Sequence, residues 1–245
     1  MSENGNTEGS TDQALQRVMG IFAHPDDPEF FSGGTFAKWA TEGKRITFVL
    51  ATSGDKGSGD LGMTSDVLVG IREAEERAAA ARLGVQDVVF LRYPDGELQP
   101  TLALRRQLAR LIRIKKPDIV VTNDPTARWY GTGYLNHPDH RAIGDAALDA
   151  VFPAARDHLT FPELYRDEGL GPHKVKQVYL CGPREPNARV DVTDFLEKKI
   201  TALREHKSQI KDMDEMARRQ RDNIDPEFAG DGIRYTESFR VFELR

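Results

Sequence analysis

Short apolar runs separated by polar turns recur along the chain: Val18–Ala23, Ile46–Ala51, Val88–Leu91, Ile119–Thr122 and Val175–Leu180. Nearly continuous apolar runs of about 4–8 residues are what strands buried on both faces look like, so parallel strands are expected here. Helical stretches alternate with them. Gly33–Glu42 ends at Gly43, and Ser65–Leu83 carries apolar residues at helical spacing and stops at Gly84, a natural place for a helix to end. Leu102–Lys115 ends before Pro117, and Pro138–Phe152 opens on a proline, whose missing N–H is harmless in a first turn.

Strand, helix, strand in repetition predicts an α/β fold: a Rossmann-like, open, mostly parallel sheet with helices on both faces. The polar stretch 1–14 is expected to be a disordered tail, and 15–245 a single domain, since no repeat or Gly/Ser linker divides it. Beyond Asp191 the character changes. Thr193–Arg221 is charged and helical, and a Pro/Gly-containing loop leads to a strand-like Ser238–Leu244. Residues 190–245 are therefore expected to form a C-terminal extension, packed on the domain or on a partner subunit of a homo-oligomer.

Composition narrows the function. The 245 residues are 39% hydrophobic and 30% charged, enough for a sizeable core, and the net charge of −5 argues against a nucleic-acid partner. One cysteine, Cys181, rules out an intrachain disulfide and fits the cytoplasm. No apolar run approaches the roughly 20 residues that span a bilayer, and the polar start lacks the order of a signal peptide, so no membrane association is expected.

Two segments stand apart. Ala23-His24-Pro25-Asp26-Asp27-Pro28-Glu29-Phe30 follows the first strand, where ligands bind in open α/β sheets. A histidine and two adjacent carboxylates can divide labour there, His24 and Asp27 on a metal and Asp26 as a base. A plain surface turn would use the same Pro and Asp residues. Asn136-His137-Pro138-Asp139-His140 opens the helix after the fourth strand. Capping chemistry accounts for its Asn, Pro and Asp but leaves two histidines unexplained. The fold brings both segments to one sheet edge. A His, an Asp and a distant His would then form a three-ligand set with open positions for water and substrate, as in catalytic metal sites.

His-Pro-Asp-Asp after the first strand, followed by His-Pro-Asp-His, resembles the PIG-L (LmbE-like) zinc N-deacetylase family. The likeness runs from about Arg17 to about Gln209 and includes Thr52–Gly57, Arg72-Glu73-Ala74-Glu75 and His206-Lys207-Ser208-Gln209. The resemblance implies removal of an N-acetyl group from an N-acetylglucosamine-type sugar, a small-molecule substrate. It implies His24, Asp27 and His140 as ligands of Zn²⁺, with Fe²⁺ or another divalent ion suited to the same set. Asp26 is implied as general base. His137 would stabilise or protonate the reacting centre with Asp139 orienting it, and Arg72 would contact substrate. Pro28 departs from the family, many of whose members have Glu there, which clouds the substrate pocket but not the metal site.

Trp129, Tyr130 and Tyr134 lie in a loop at the functional face and can stack on a sugar or simply pack. Asp124 is a candidate partner for a ligand histidine, and His206 reads as surface unless the resemblance draws it inward. Three rival readings remain open. One is an Fe(II) oxygenase with a facial triad, which usually sits on an all-β fold. Another is a non-catalytic α/β metal-binding module. The third is an amidase of the same family acting on a thiol conjugate.

Overall fold

The computed structural model describes residues 16–227, 232 and 234–245; the tail expected over 1–14 lies outside the described residues. The elements run β1 (Arg17–Phe22), α1 (Asp27–Thr41), β2 (Arg45–Thr52), α2 (Ser65–Leu83), β3 (Asp87–Tyr93), α3 (Leu102–Lys115), β4 (Ile119–Asn123), β5 (Trp129–Tyr130) and β6 (Tyr134–Leu135). They continue through α4 (Pro138–Asp149), α5 (Pro162–Arg166), β7 (Gln177–Cys181), β8 (Ala188–Asp191), α6 (Leu196–Leu203), α7 (Met213–Asp222) and β9 (Thr236–Glu243).

One 7-stranded sheet has the order β3-β2-β1-β4-β7-β9-β8. It is parallel from β3 to β7, and β9 and β8 extend it antiparallel. Alternation along each strand supplies two cores. Val18, Phe22, Phe48 and Leu50 pack with Phe36 and Trp39 of α1 and Leu83 of α2. Met19, Ile21, Val49 and Val120 pack with Leu104, Leu108 and Ile112 of α3 and Ile143 of α4. The mostly parallel sheet expected from the apolar runs is thus present, with helices on both faces. The chain leaves β1 toward β2 on one side and returns to β4 on the other. This makes β1/β4 the switch point, with a crevice at its carboxyl end.

Three boundaries differ from the sequence pattern. Helix α1 begins at Asp27 and not at Gly33, because Pro28 sits in its first turn and Asp27 and Glu29 favour the positive helix end. It kinks at Ser32 (φ −146°). There Glu237 of β9 accepts the freed Gly34 and Thr35 N–H groups at 3.0 and 2.7 Å, and Lys199 of α6 donates to Phe30 O at 2.9 Å. Gly34 is glycine because a Cβ there would lie 2.7 Å from Val192. The helix expected to reach Phe152 ends at Asp149, since Pro153 forces the residue before it toward extended geometry (Phe152 φ −142°, ψ 125°). The continuous helix expected over Thr193–Arg221 is broken into α6 and α7, and residues 204–212 between them fold inward. The extension therefore belongs to the same sheet and braces the helix that carries the first motif. Among the described residues no helix is long and apolar enough to cross a membrane.

Candidate metal centre

His24 leaves the end of β1, and Asp27 opens α1 three residues on, so the Asp27 carboxylate folds back over the turn. Its Oδ2 accepts the His24 backbone N–H at 2.9 Å and lies 3.4 Å from His24 Nδ1. Its Oδ1 lies 3.0 Å from Nε2 of His140, which comes from the first turn of α4. The other ring nitrogen of His140, Nδ1, is 2.8 Å from Asn136 Oδ1. The Asn136 amide is oriented by donating to Ala127 O at 2.7 Å, so its oxygen is the acceptor and His140 Nδ1 carries the proton.

That tautomer leaves a bare lone pair on Nε2 facing a carboxylate oxygen at 3.0 Å, a contact that repels unless a proton or a cation lies between them. His24, Asp27 and His140 are 7%, 5% and 6% exposed, and their donor atoms lie within 4.8 Å of one another. The N, O, N donor set is the kind that binds Zn²⁺ or a similar divalent ion with coordination positions to spare. A second group of the same span, His24, Asp95 and His137, shares the first histidine.

Electrostatics point the same way. Burial works to lower the His24 pKa, but Asp139, Asp27 and Asp95 outweigh it and hold it well above the ordinary value. Burial works to raise Asp27, and His140 and His24 outweigh that and hold it well below. A field that keeps a proton on an imidazole also attracts a metal cation. His24 Nε2, buried and without a well-directed hydrogen bond, lies 3.1 Å from Asp95 Oδ1 and 3.4 Å from Asp139 Oδ2.

Asp26, between the two ligand candidates, is held differently. It occupies the left-handed region (φ 94°, ψ −26°), a conformation that costs a non-glycine residue on the order of 1–3 kcal/mol. Its N–H donates to Glu76 Oε2 at 3.0 Å, and its Oδ2 accepts from Arg72 Nη2 at 3.1 Å. Burial pushes its carboxyl up to about 6, against the pull of Arg72.

Several expected roles change on contact with the geometry. Arg72, expected to touch substrate, lines the cavity wall but directs its guanidinium to Gly54 O (3.1 Å), Pro25 O (2.6 Å) and Asp26. Gly54 (φ +64°) permits this, since a Cβ there would sit 2.1 Å from Arg72 Nη1. Asp139, expected to orient His137, accepts instead from Gly96 N–H (2.7 Å) and Leu98 N–H (3.2 Å) and faces His24. It is the Asp139 backbone N–H that reaches His137, donating to Nδ1 at 3.2 Å, because His137 caps α4. Asp124 accepts from Thr126 N–H and Oγ1–H (2.8 and 2.7 Å), so Asn136 is the ligand's partner.

Of the three aromatics, Tyr130 and Tyr134 are cross-strand partners in the β5–β6 hairpin and line the cavity. Trp129 does not; one residue along a strand it points to the opposite face, under the Arg184 guanidinium at 5.2 Å.

The cavity holds roughly 640 Å³ and is walled by the three histidines, Asp26, Asp27, Asp95, Arg72 and the aromatics Phe30, Phe31, Tyr130 and Tyr134. Sequence reasoning missed Asp95, though Pro94-Asp95-Gly96 stands at the carboxyl end of a parallel strand, where site residues gather. It gave Glu29 and Glu76 no role, and it read His206 as surface unless the resemblance drew it inward. His206 has no exposure at all, with Nε2 3.3 Å from Glu29 Oε2 and 4.0 Å from Glu76 Oε2. Next to it, Ser208 donates to Glu75 through both its N–H (2.8 Å) and its Oγ (2.6 Å), and Gln209 Nε2 donates to Gly57 O at 3.1 Å.

A doubly wound sheet with a His/Asp/His cleft at its switch point defines an α/β protein with a site suited to a metal. The chain belongs to the PIG-L family, described as GlcNAc-PI de-N-acetylase, which matches residues 19–151. It is similar to the diacetylchitobiose deacetylase of Thermococcus kodakarensis, with 34% identity over 80% of this chain and 70% of the relative. It is also similar to the 1D-myo-inositol 2-acetamido-2-deoxy-α-D-glucopyranoside deacetylase of Actinosynnema mirum, with 30% identity over 80% of this chain and 82% of the relative. Among solved structures, the N,N′-diacetylchitobiose deacetylase of Pyrococcus horikoshii superposes with a TM-score of 0.85 at 31% identity, covering 94% of this chain and 85% of that one.

Proposed function

We propose that this protein is a metal-dependent N-deacetylase, with zinc as its metal, that hydrolyses the N-acetyl amide of an N-acetylglucosamine-type sugar or conjugate to acetate and a free amine. One observation carries the reading. Beside a buried His/Asp/His donor set, Asp26 faces the same cavity with its carboxyl pushed to about 6.

His24, Asp27 and His140 would hold the metal, which when bound polarises an amide carbonyl and makes water easier to deprotonate. Asp26 accepts the proton of the attacking water as the C–O bond forms. It returns that proton to the departing nitrogen as the C–N bond breaks, and a pKa near the working pH suits both directions. His137 accepts a hydrogen bond at Nδ1, so in its neutral form the ring proton is on Nε2. Burial and the neighbouring His24 lower its pKa. That Nε2–H would serve as a hydrogen-bond donor to the developing oxyanion. Tyr130, Tyr134, Phe30 and Phe31 offer apolar faces to a sugar ring.

The test is acetate released from a panel of N-acetylated sugars, with and without chelator, alongside elemental analysis of the purified protein. Release that a chelator abolishes and Zn²⁺ restores is expected. No release from any sugar in the metal-loaded protein would overturn the reading.

A further inference from the structure

Asp26 cannot hold its left-handed backbone unaided, since a side chain at φ 94° is strained. What holds it comes from behind the cavity. The Asp26 N–H is taken by Glu76 Oε2 at 3.0 Å, while Arg72 Nη2 bridges Pro25 O and Asp26 Oδ2. Glu76 projects from α2 into a space with no solvent contact. Behind it stands His206, delivered by the break between α6 and α7, with Nε2 between Glu76 and Glu29. Glu29 sits on α1, within a turn of Asp26. His206 thus ties together the two helices that flank the Asp26 turn.

We propose that Glu76, braced by His206, is a positioning residue for the reaction. By accepting the Asp26 N–H it locks the strained turn that aims the Asp26 carboxylate into the cavity. This inference rests on Asp26 being the base. It goes further in assigning the cause of its placement to a residue that touches neither substrate nor metal candidate. The role needs an acceptor oxygen at the Glu76 position, which makes it separable from mere filling of space.

Glu76→Leu fills a similar volume without the acceptor. In the full-length, metal-loaded protein it is expected to lower kcat on the order of 100-fold, the cost of about 1 Å of misplacement at a reacting group, with KM and metal content unchanged. Glu76→Gln keeps an oxygen for the N–H and is expected to rescue most of that loss. In an Asp26→Asn background, Glu76→Leu should cost nothing further, because residues acting through one another are not additive. Should the leucine variant not fold, Glu76→Asp, which withdraws the oxygen by one methylene, carries the same expectation.

A readout free of substrate accompanies these. Amide hydrogen exchange at Asp26 should be slow in the wild type and Glu76→Gln and fast in Glu76→Leu or Glu76→Asp. Wild-type kcat in the leucine or aspartate variant overturns the inference. So does an equal loss in the Asp26→Asn background, or unchanged protection of the Asp26 amide. The exchange result stands even if no N-acetylated sugar is turned over, so a failure of the deacetylase reading and a failure of this one are told apart.

Discussion

Two clusters with the same kinds of side chain lie on either side of Asp26. In front, His24, Asp27 and His140 face a cavity; behind, Glu29, Glu76 and His206 are sealed, and each triad spans no more than 4.8 Å. Of the front histidines, His140 has a fixed partner on its far side, Asn136, while His24 Nε2 lies 3.1 and 3.4 Å from the Asp95 and Asp139 carboxylates. In the rear cluster neither ring nitrogen of His206 and neither oxygen of Glu29 has a hydrogen bond among the described residues. Burial and Glu29 raise the Glu76 pKa well above the ordinary value. His206 is raised too, since Glu29 outweighs the effect of burial. Glu76 and His206 thus both hold their protons more tightly than free side chains do. A set of ligands becomes a reactive centre through access and oriented lone pairs, and composition alone does not distinguish the two.

The largest effect that can break this contrast is on turnover. His140→Ala should lose metal and activity together, whereas Asp26→Asn should keep the metal and lose on the order of 10²–10⁴ in kcat, the usual worth of acid–base catalysis. Metal content by elemental analysis separates them, and full occupancy in His140→Ala would remove the front cluster from the metal.

Next comes stability. His206→Leu leaves Glu29 without its partner in a sealed space and should cost about 3–5 kcal/mol, as breaking a buried ion pair does. Leucine at His140 leaves Asp27 paired to His24 and should cost clearly less. Urea unfolding of the metal-free proteins measures both, and equal losses would mean that the rear cluster is no more structural than the front.

The contrast also explains what was legible. The front motifs are local, four or five residues at the end of a strand or the start of a helix, and the fold class that aligns them follows from apolar runs. The rear cluster joins residues 29, 76 and 206, from two helices and the break between two others; Glu29 lies in the first motif and His206 in a segment the resemblance covers, but nothing local links either to Glu76. His206 was hidden by a helical, charged pattern over Thr193–Arg221 that is in fact broken, with Asp212 capping α7 through its bond to Glu215 N–H. Strand β8 was missed because its Ala-Arg-Val-Asp has no apolar run, as befits a sheet edge. Trp129, open between stacking on a sugar and packing, turns away from the cavity-lining face of its neighbour Tyr130. The orientation of a side chain in a two-residue strand depends on register, which composition does not reveal.

The smallest expected effect concerns Arg72, which stands between the clusters and touches both sides of the Asp26 turn. Asp26 must be ionised to accept a proton, so the rate should climb with pH through the range where its carboxyl titrates, about 6. Burial drives that value up, and the Arg72 charge drives it down. Removing the charge leaves burial less opposed, so the carboxyl holds its proton to higher pH. The acidic limb of kcat/KM in Arg72→Gln should therefore move to higher pH. A shift of about one unit would mean roughly a tenfold deficit at the acid end that shrinks as pH rises past the new limb. Arg72→Lys keeps the charge but not the fork that joins Pro25 O to Asp26, so its limb should move less. The limb reports the coupled site as a whole, and the comparison between variants is the informative quantity. An Arg72→Gln profile scaled down evenly at every pH would show that Arg72 acts on Asp26 only through the geometry of the turn, as Glu76 does, and not through its charge.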